Sequence, residues 1–356
     1  MTLKTKISAQ EAMQVKKLFD DCKNVVILAH QSPDGDAIGS TLALWEYLTR
    51  KGKNATVIVP NYFPDFLKWM SGADKIVLFE RQKSLSYNLL NMADLVCVLD
   101  LNMAFRMGEE LGRVFTGLRR CKKLMVDHHI EPERKLFDTV ISRPECSSTC
   151  ELLYRLFTAI GAVDHLSLHA AEDIYAGMYT DTGGFSFNSN DPDIFLIVAE
   201  LLRKGIDKDR IVRNINNFFT ADRFRLMGYV LYEKLQVFPE LHASIFSLTK
   251  EELKRFNYLK GDMEGVVNMP LAIRGHRLSI SLREDSEKPL IWVSIRSYDD
   301  VSAKDMAARF FNGGGHFNAA GGRLENMTME QAIDVAKQAI EAFREPLTNP
   351  NSTFTS

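Results

Sequence analysis

Carboxylate and imidazole side chains stand in four short islands of this sequence, spaced far apart along the chain. The islands contain His30, Asp34 and Asp36; Asp100; Asp127, His128 and His129; and Asp181. Mixed imidazole and carboxylate ligands suit divalent ions such as Mn²⁺, Mg²⁺, Co²⁺ or Zn²⁺. The set is large enough for two ions, and a carboxylate can bridge two such ions. The islands therefore predict a metal centre that turns water into a nucleophile for phosphoryl chemistry.

Each island has a simpler explanation when it is taken alone. A single Asp at the end of a strand is usually a helix cap or a loop carboxylate. Asp34 and Asp36 lie in the turn-like sequence PDGD. The metal hypothesis depends on all four islands occurring in order, each after an apolar segment.

Apolar runs rich in β-branched residues predict five strands in the first half of the chain. They cover residues 24–30, 55–60, 75–79, 93–100 and 123–129. Helical or polar segments separate these runs, which predicts a parallel sheet between layers of helices. His30, Asp100 and Asp127 come at or near the ends of their runs. Because ligands bind at the carboxyl ends of strands in such sheets, we expect these residues to converge.

The second half of the chain predicts a helical stretch followed by a smaller domain. Residues 146–237 have mainly helical periodicity, and three alternating runs after Phe238-Pro239 predict half-buried antiparallel strands. The predicted fold class is α/β, with a mixed α/β second domain and an active site in the cleft between the domains. The predicted segments are a first domain over 1–190, a helical connector over 191–237, a substrate-binding domain over 238–346 and a disordered tail over 347–356.

A glycine-rich segment, GGGHFNAAGG, begins at Gly313. Gly313, Gly314 and Gly315 would let backbone amides approach an anion closely, and the imidazole of His316 would meet a phosphate. Arg296, in a predicted strand, is a candidate phosphate clamp. A plain turn for the glycines and a surface charge for Arg296 stay open as alternatives.

Composition limits the partners of the protein. The 356 residues carry 44 Lys and Arg against 46 Asp and Glu, a formal net charge of −2, which argues against a protein that coats long duplex nucleic acid. Five cysteines without a CxxC motif indicate reduced thiols and predict a cytoplasmic protein. No apolar run approaches the ~20 residues of a membrane span, so no membrane partner is expected. A homodimer is the default oligomer.

These motifs resemble those of the DHH phosphoesterase family, which is named for the triplet Asp127-His128-His129. The segments HQSPDGDAIGS, VLDLN and YTDTG are similar to the other metal-binding motifs of the family. GGGHFNAAGG is similar to the signature of its associated C-terminal domain. The resemblance covers roughly residues 20–345. The size and layout are similar to the branch of oligoribonucleases that also act as 3′-phosphoadenosine-5′-phosphate phosphatases.

The resemblance assigns roles to the residues of the islands. It implies that His30, Asp34 and Asp100 hold one divalent ion, expected to be Mn²⁺, with Mg²⁺ or Co²⁺ as alternatives. Asp36, His128 and Asp181 would hold a second ion, with Asp100 bridging the two. Asp127 would orient a histidine or a water molecule, and His129 would face the substrate phosphate. Arg296, His316 and the amides of Gly313, Gly314 and Gly315 would bind the terminal nucleotide. Ser186 occupies a position where some relatives have a basic residue.

The function expected from this resemblance is attack of a metal-activated hydroxide on phosphorus in short oligoribonucleotides and 3′-phosphoadenosine 5′-phosphate. Two alternatives use the same metal centre: hydrolysis of polyphosphate or pyrophosphate, and hydrolysis of linear or cyclic dinucleotides. A non-catalytic nucleotide-binding protein is a third alternative.

Overall fold

The computed structural model describes residues 3–217, 219–259, 261–286 and 288–349. The chain divides into two compact units, Met1–Phe218 and Phe219–Ser356. The helical stretch predicted as a connector is shared between them, because its first two helices belong to the first unit and its last helix to the second. Most of the predicted disordered tail, residues 350–356, lies outside the described residues.

The first unit contains a six-stranded sheet in which every neighbouring pair is parallel, with strand order β3-β2-β1-β4-β5-β6. Its strands are β1 (Asn24–Leu28), β2 (Asn54–Val59), β3 (Val77–Leu78), β4 (Leu95–Leu99), β5 (Lys122–Asp127) and β6 (Thr139–Ser142). The strand order reverses direction between β1 and β4. In open α/β sheets, a crevice forms at this point, outside the carboxyl ends of the strands.

Eight α-helices accompany this sheet in the described residues of the first unit. They are α1 (Ala9–Asp21), α2 (Gly35–Arg50), α3 (Lys83–Met92), α4 (Glu109–Gly117), α5 (Thr149–Ala159), α6 (Leu168–Asp181), α7 (Pro192–Arg203) and α8 (Lys208–Asn216). Polar N-caps start several of them: Asp34 caps α2 and Ser148 caps α5. Burial of strands β1 and β4 between helices explains their continuous apolar sequences.

The second unit contains a six-stranded mixed sheet with strand order β11-β12-β10-β9-β8-β7. Its strands are β7 (Gln236–Phe238), β8 (Ala243–Leu248), β9 (Leu278–Glu284), β10 (Leu290–Ser297), β11 (Gly314–Gly315) and β12 (Ala319–Glu325). Its helices in the described residues are α9 (Ala221–Tyr229), α10 (Lys250–Arg255), α11 (Ala303–Phe310), α12 (Met329–Ala342) and α13 (Arg344–Leu347). One face of the sheet packs on α11 and α12 around Phe311 and Ile340.

Two details of the predicted elements are wrong. Strand β8 pairs with β9 in parallel, not antiparallel, and all six of its residues are buried. The glycine-rich segment is not wholly a loop, because Gly314–Gly315 pairs with β12 as a short antiparallel strand. Alternation of apolar and polar residues does not encode strand direction, which is set by the connection between strands.

Candidate metal centre

The four islands meet at the carboxyl ends of the central strands of the first unit. His30 follows β1 by two residues, Asp100 directly follows β4, and Asp127 is the last residue of β5. Asp36 lies in the first turn of α2, and Asp181 ends α6. These are the positions that the parallel-sheet rule predicts for ligand-binding residues.

Asp100 lies between two groups of side chains. Its Oδ2 is 3.3 Å from His30 Nε2, and its Oδ1 is 3.6 Å from His128 Nε2 and 3.7 Å from His129 Nδ1. The two oxygens of one carboxylate therefore face different imidazoles. A carboxylate with its oxygens divided in this way could bridge two cations.

The backbone of Asp100 has an unusual conformation. Its φ is +56°, in the left-handed region that a non-glycine residue seldom adopts. Its N–H donates to Val126 O on the neighbouring strand at 3.1 Å, which holds this turn in place. Such backbone strain is typical of functional positions.

The hydroxyl of Thr149 is a contact that the sequence analysis missed. Thr149 Oγ1 donates to Asp100 Oδ1 at 3.1 Å, and both residues are buried. The sequence Ser148-Thr149-Cys150-Glu151 carries a helix-start signal, since a Ser followed three residues later by Glu is typical of an N-cap. That signal locates the start of α5 but does not indicate that α5 points at Asp100.

Asp36 lies at the same helix start. Its carboxylate accepts the backbone N–H of Thr149 at 2.6 Å and that of Cys150 at 2.8 Å. An anion at a helix N-terminus is stabilised by free N–H groups and by the helix dipole. The start of α5 therefore fixes the orientation of Asp36.

His128 faces three carboxylates. Its Nε2 is 3.5 Å from Asp181 Oδ2, 3.6 Å from Asp100 Oδ1 and 4.0 Å from Asp36 Oδ2. The other ring nitrogen, Nδ1, lies 3.2 Å from the carbonyl oxygen of Cys146. A carbonyl at Nδ1 favours the tautomer that presents Nε2 as a metal ligand.

His30 follows the same pattern on the other side of Asp100. Its Nδ1 lies 3.0 Å from Gln31 O, and its Nε2 is 3.9 Å from Asp34 Oδ1. This Nε2 is buried without a well-aligned hydrogen-bond partner among the described residues. A cation held between His30 and the carboxylates would satisfy a buried nitrogen of this kind.

Asp127 contacts His129 twice. His129 Nδ1 lies 2.8 Å from Asp127 Oδ1, and the His129 backbone N–H donates to Asp127 Oδ2 at 3.1 Å. Asp127 is completely buried. These two contacts restrict the orientation of the His129 imidazole.

The charges of this cluster perturb one another strongly. Burial opposes the protonated form of His30, but Asp100 and Asp34 outweigh it and raise the pKa of His30 to about 8. Burial likewise opposes a charge on His128, while Asp181 and Asp100 raise its pKa to about 9. Burial and the charge of Asp100 raise the pKa of Asp36 to about 7. These shifts have one physical cause, which is that several carboxylates and imidazoles are buried close together.

The residues present fit divalent metal ions. Two groups have ligand atoms close enough to share an ion: His30, Asp34 and Asp100, and Asp36, His128 and Asp181. A third group joins Asp100, Asp127 and His129. Oxygen and imidazole ligands in these numbers match Mn²⁺, Mg²⁺ or Zn²⁺ and exclude the thiolate-rich sites of softer ions.

The predicted phosphate-binding residues lie in the second unit. Arg296 is on β10, where it pairs with Ser279 of β9 and Ala319 of β12. Burial lowers the pKa of Arg296, and the carboxylate of Glu264 opposes this shift. A half-buried guanidinium gains more from a bound anion than an exposed one does.

Close backbone packing explains why glycine occupies two of the positions that were predicted to bind phosphate. A Cβ on Gly313 would lie 1.9 Å from Gly321 O, and one on Gly315, whose φ is +146°, would lie 2.6 Å from Ala319 O. The N–H of Gly313 donates to Ala307 O within the unit. The exposed His316 follows directly, and its backbone N–H donates to Ala319 O.

Fold and site together define a protein with a cluster of carboxylates and imidazoles that fits divalent metal ions, at the switch point of a parallel sheet. The DHH family N-terminal domain matches residues 24–178, and the DHHA1 domain matches residues 242–345. The chain belongs to the DHH family.

Three known proteins are similar to the chain over most of its length. The bifunctional oligoribonuclease and PAP phosphatase NrnA of Thermus thermophilus is 29% identical over 91% of this chain and 90% of its own length. The crystal structure of an exopolyphosphatase-related protein from Bacteroides fragilis is 44% identical, with a TM-score of 0.93 over 98% of this chain and all of its own. The Mn²⁺ complex of RecJ from Thermus thermophilus, at 14% identity and a TM-score of 0.54, covers 97% of this chain and 56% of its own and shares the fold alone.

Site and relatives together indicate a hydrolase that acts on phosphoester bonds. Within the described residues, no helix has the length and apolar character needed to traverse a lipid bilayer.

Proposed function

We propose that this protein is a Mn²⁺-dependent phosphoesterase that hydrolyses short oligoribonucleotides and 3′-phosphoadenosine 5′-phosphate. The observation that carries the proposal is the position of Asp100, whose two carboxylate oxygens face His30 on one side and His128 and His129 on the other. The NrnA relative, which matches this chain over most of its length, supports the substrate class.

In this proposal His30, Asp34 and Asp100 would hold one ion, and Asp36, Asp100, His128 and Asp181 would hold the other. Two bound divalent ions supply a water of lowered pKa and neutralise charge on the phosphoryl oxygens. The carbonyls of Gln31 and Cys146 set the tautomers of the two histidine ligands. Thr149 and the first turn of α5 fix the carboxylates of Asp100 and Asp36.

His129 contacts the phosphate in this mechanism. Its Nδ1 is engaged by Asp127, so the opposite edge of the ring carries Nε2 as the nitrogen for the substrate. A hydrogen bond from that nitrogen to a phosphoryl oxygen stabilises negative charge as it develops in the transition state. Asp127 acts as a positioning residue for His129.

The second unit supplies substrate affinity. Arg296 and His316 bind a terminal phosphate, with backbone amides of Gly314 and Gly315 as candidate further donors, because the N–H of Gly313 already donates to Ala307 O. Arg296 is the strongest candidate because its guanidinium is half-buried and charge-assisted bonds to phosphate gain strength there. Recognition of one terminal group explains how a chain with a net charge of −2 acts on nucleic acid fragments.

The test is hydrolysis of a substrate panel by the purified protein in Mn²⁺. We expect release of mononucleotides from short RNA oligonucleotides and of phosphate from 3′-phosphoadenosine 5′-phosphate. Asp100→Asn should abolish both activities. Absence of hydrolysis of either substrate by the wild-type protein would refute the proposal.

A pair of variants tests the role assigned to the second unit. Arg296→Gln should raise KM by about 10- to 100-fold with a smaller effect on kcat, because one charge-assisted contact to phosphate is lost. Arg323→Gln is the matched control, since Arg323 lies on the adjacent strand β12 and is exposed. Equal KM values for the two variants would contradict the role of Arg296.

A second candidate function is hydrolysis of polyphosphate or pyrophosphate. The exopolyphosphatase-related protein from Bacteroides fragilis, 44% identical to this chain, favours it. Both compounds therefore belong in the panel, together with linear and cyclic dinucleotides. The compound with the highest kcat/KM identifies the preferred substrate class, because the candidates share one metal centre.

A further inference from the structure

A polar pocket lies at the amino-terminal end of strand β5, whereas the candidate metal ligands lie at the carboxyl ends of the strands. It has a volume of about 380 Å³. Five cationic side chains line it: Arg119, Arg120, Lys122, Lys123 and Lys135. Strand β5 runs from Lys122 to Asp127, a rise of about 17 Å, so a ligand here does not touch the metal-binding residues.

The two carboxylates that line this basic pocket are engaged within the fold. Asp94 accepts the backbone N–H groups of Lys23 and Asn24 at 2.9–3.1 Å. Asp138 accepts from Lys122 Nζ at 2.8 Å and from the Lys123 backbone N–H at 2.9 Å.

The other cations of the basic pocket have no carboxylate counter-ion. Arg119, Arg120 and Lys135 form no ion pair with any residue in the described part of the chain. Counting five cations and two carboxylates, the lining carries a net charge of 5 − 2 = +3.

Lys123 is an unusual cation in this pocket because it is only 5% exposed. Its Nζ donates to Phe115 O at 2.9 Å and lies 4.6 Å from the centroid of the Phe115 ring. Burial lowers the pKa of Lys123, and the charge of Arg119 lowers it further. A buried ammonium held by a carbonyl and a ring gains from a nearby anion.

We propose that the basic pocket binds a small diphosphate, either inorganic or as part of a nucleotide. Two adjoining phosphoryl groups carry a charge of about −3 near neutral pH, which matches the net charge of the lining. The volume is in the usual range for small-molecule sites. Leu118, Leu136 and Phe137 add an apolar wall on which a base or ribose can pack.

Cys121 provides a reporter inside the pocket. It lines the pocket and is half-buried, whereas the other four cysteines are buried. Its alkylation by iodoacetamide, followed by mass spectrometry of the peptide that contains it, therefore measures occupancy of this pocket. The probes are methylenediphosphonate and α,β-methylene-ADP, whose P–C–P linkage resists hydrolysis, with inorganic phosphate for comparison.

We expect either diphosphate probe to slow alkylation of Cys121 by about tenfold when it is present at ten times its Kd, as simple mass action requires. Arg119→Gln combined with Arg120→Gln should remove this protection and leave phosphoesterase turnover unchanged. Lys16→Gln combined with Lys17→Gln removes two exposed charges from α1 and should keep full protection.

The arms of the experiment separate the sources of the diphosphate. Protection by both probes indicates that the diphosphate group itself is recognised. Protection by the nucleotide alone indicates that binding also requires contact of the base or ribose with the apolar wall. If neither probe protects Cys121 at millimolar concentration, the proposal is overturned. Protection that survives the arginine substitutions, or that is lost equally in the lysine control, would also overturn it. The protection measurements do not depend on whether the metal centre hydrolyses phosphoesters.

Discussion

Replacement of Thr149 by Val tests whether the start of α5 positions the metal centre. The substitution keeps the shape of the side chain and removes the donor that lies 3.1 Å from Asp100 Oδ1. A buried hydrogen bond to a charged group contributes about 1.5–3 kcal/mol, which corresponds to a factor of about 10–150. The backbone N–H of Thr149 still donates to Asp36, so the substitution removes only the hydrogen bond to Asp100.

The assay is the initial rate of 3′-phosphoadenosine 5′-phosphate hydrolysis as a function of Mn²⁺ concentration. We expect Thr149→Val to shift the Mn²⁺ activation curve, lower kcat, or do both, by a combined factor of about 10–150. Thr149→Ser retains the hydroxyl and should behave like the wild type. Thr158→Val, on the same helix, removes only a hydrogen bond to Tyr154 O and serves as the control. A Thr149→Val variant within twofold of this control at every Mn²⁺ concentration would refute the positioning role.

Three further predictions concern packing and protonation. Gly39→Ala should cost about 1–3 kcal/mol in the free energy of unfolding, because the new Cβ would lie 2.5 Å from Asp173 O; Gly117→Ala, with no atom within 4 Å, is the control, and equal urea midpoints would contradict this packing argument. Burial, and then the charges of Glu46 and Glu172, raise the pKa of Asp173 well above its usual value, so this residue favours folding at low pH and loses that contribution as pH rises through its folded pKa. Asp173→Asn should therefore gain stability relative to the wild type as pH rises above about 4, the ordinary pKa of an aspartate, measured by thermal unfolding; a difference that does not change with pH would show that Asp173 does not titrate. Mn²⁺ binding should release protons, and its affinity should increase as pH rises toward 8 and 9, the approximate pKa values of His30 and His128. Calorimetry in buffers of different ionisation enthalpy measures this proton release, and a result of no release would contradict the prediction.

The sequence predicted the central strands well because they are buried on both faces. A strand such as β4, with five buried apolar residues, stands out from any polar surroundings. Strand β6 was missed because it is only four residues long and half of it is partly exposed. The parallel pairing of β8 and β9 was missed because side-chain alternation is the same for both strand directions.

The convergence of the metal-binding side chains followed from one rule, that the carboxyl ends of parallel strands share an edge. Asp100 and Asp127 could be placed in this way because each ends or follows a strand. Thr149 could not, because its contact depends on how α5 packs against the sheet. The sequence around it indicates a helix start, but the direction of that helix is a tertiary property.

The most direct test of the dinuclear centre is the number of Mn²⁺ ions that each chain holds. Wild-type protein and Asp100→Asn would be equilibrated with Mn²⁺, passed through a desalting column and analysed by mass spectrometry of the metal. A centre bridged by Asp100 predicts about two ions per wild-type chain and at most about one in the variant. Equal ion counts in the two proteins, or hydrolytic activity in a wild-type chain that holds no divalent metal, would contradict it.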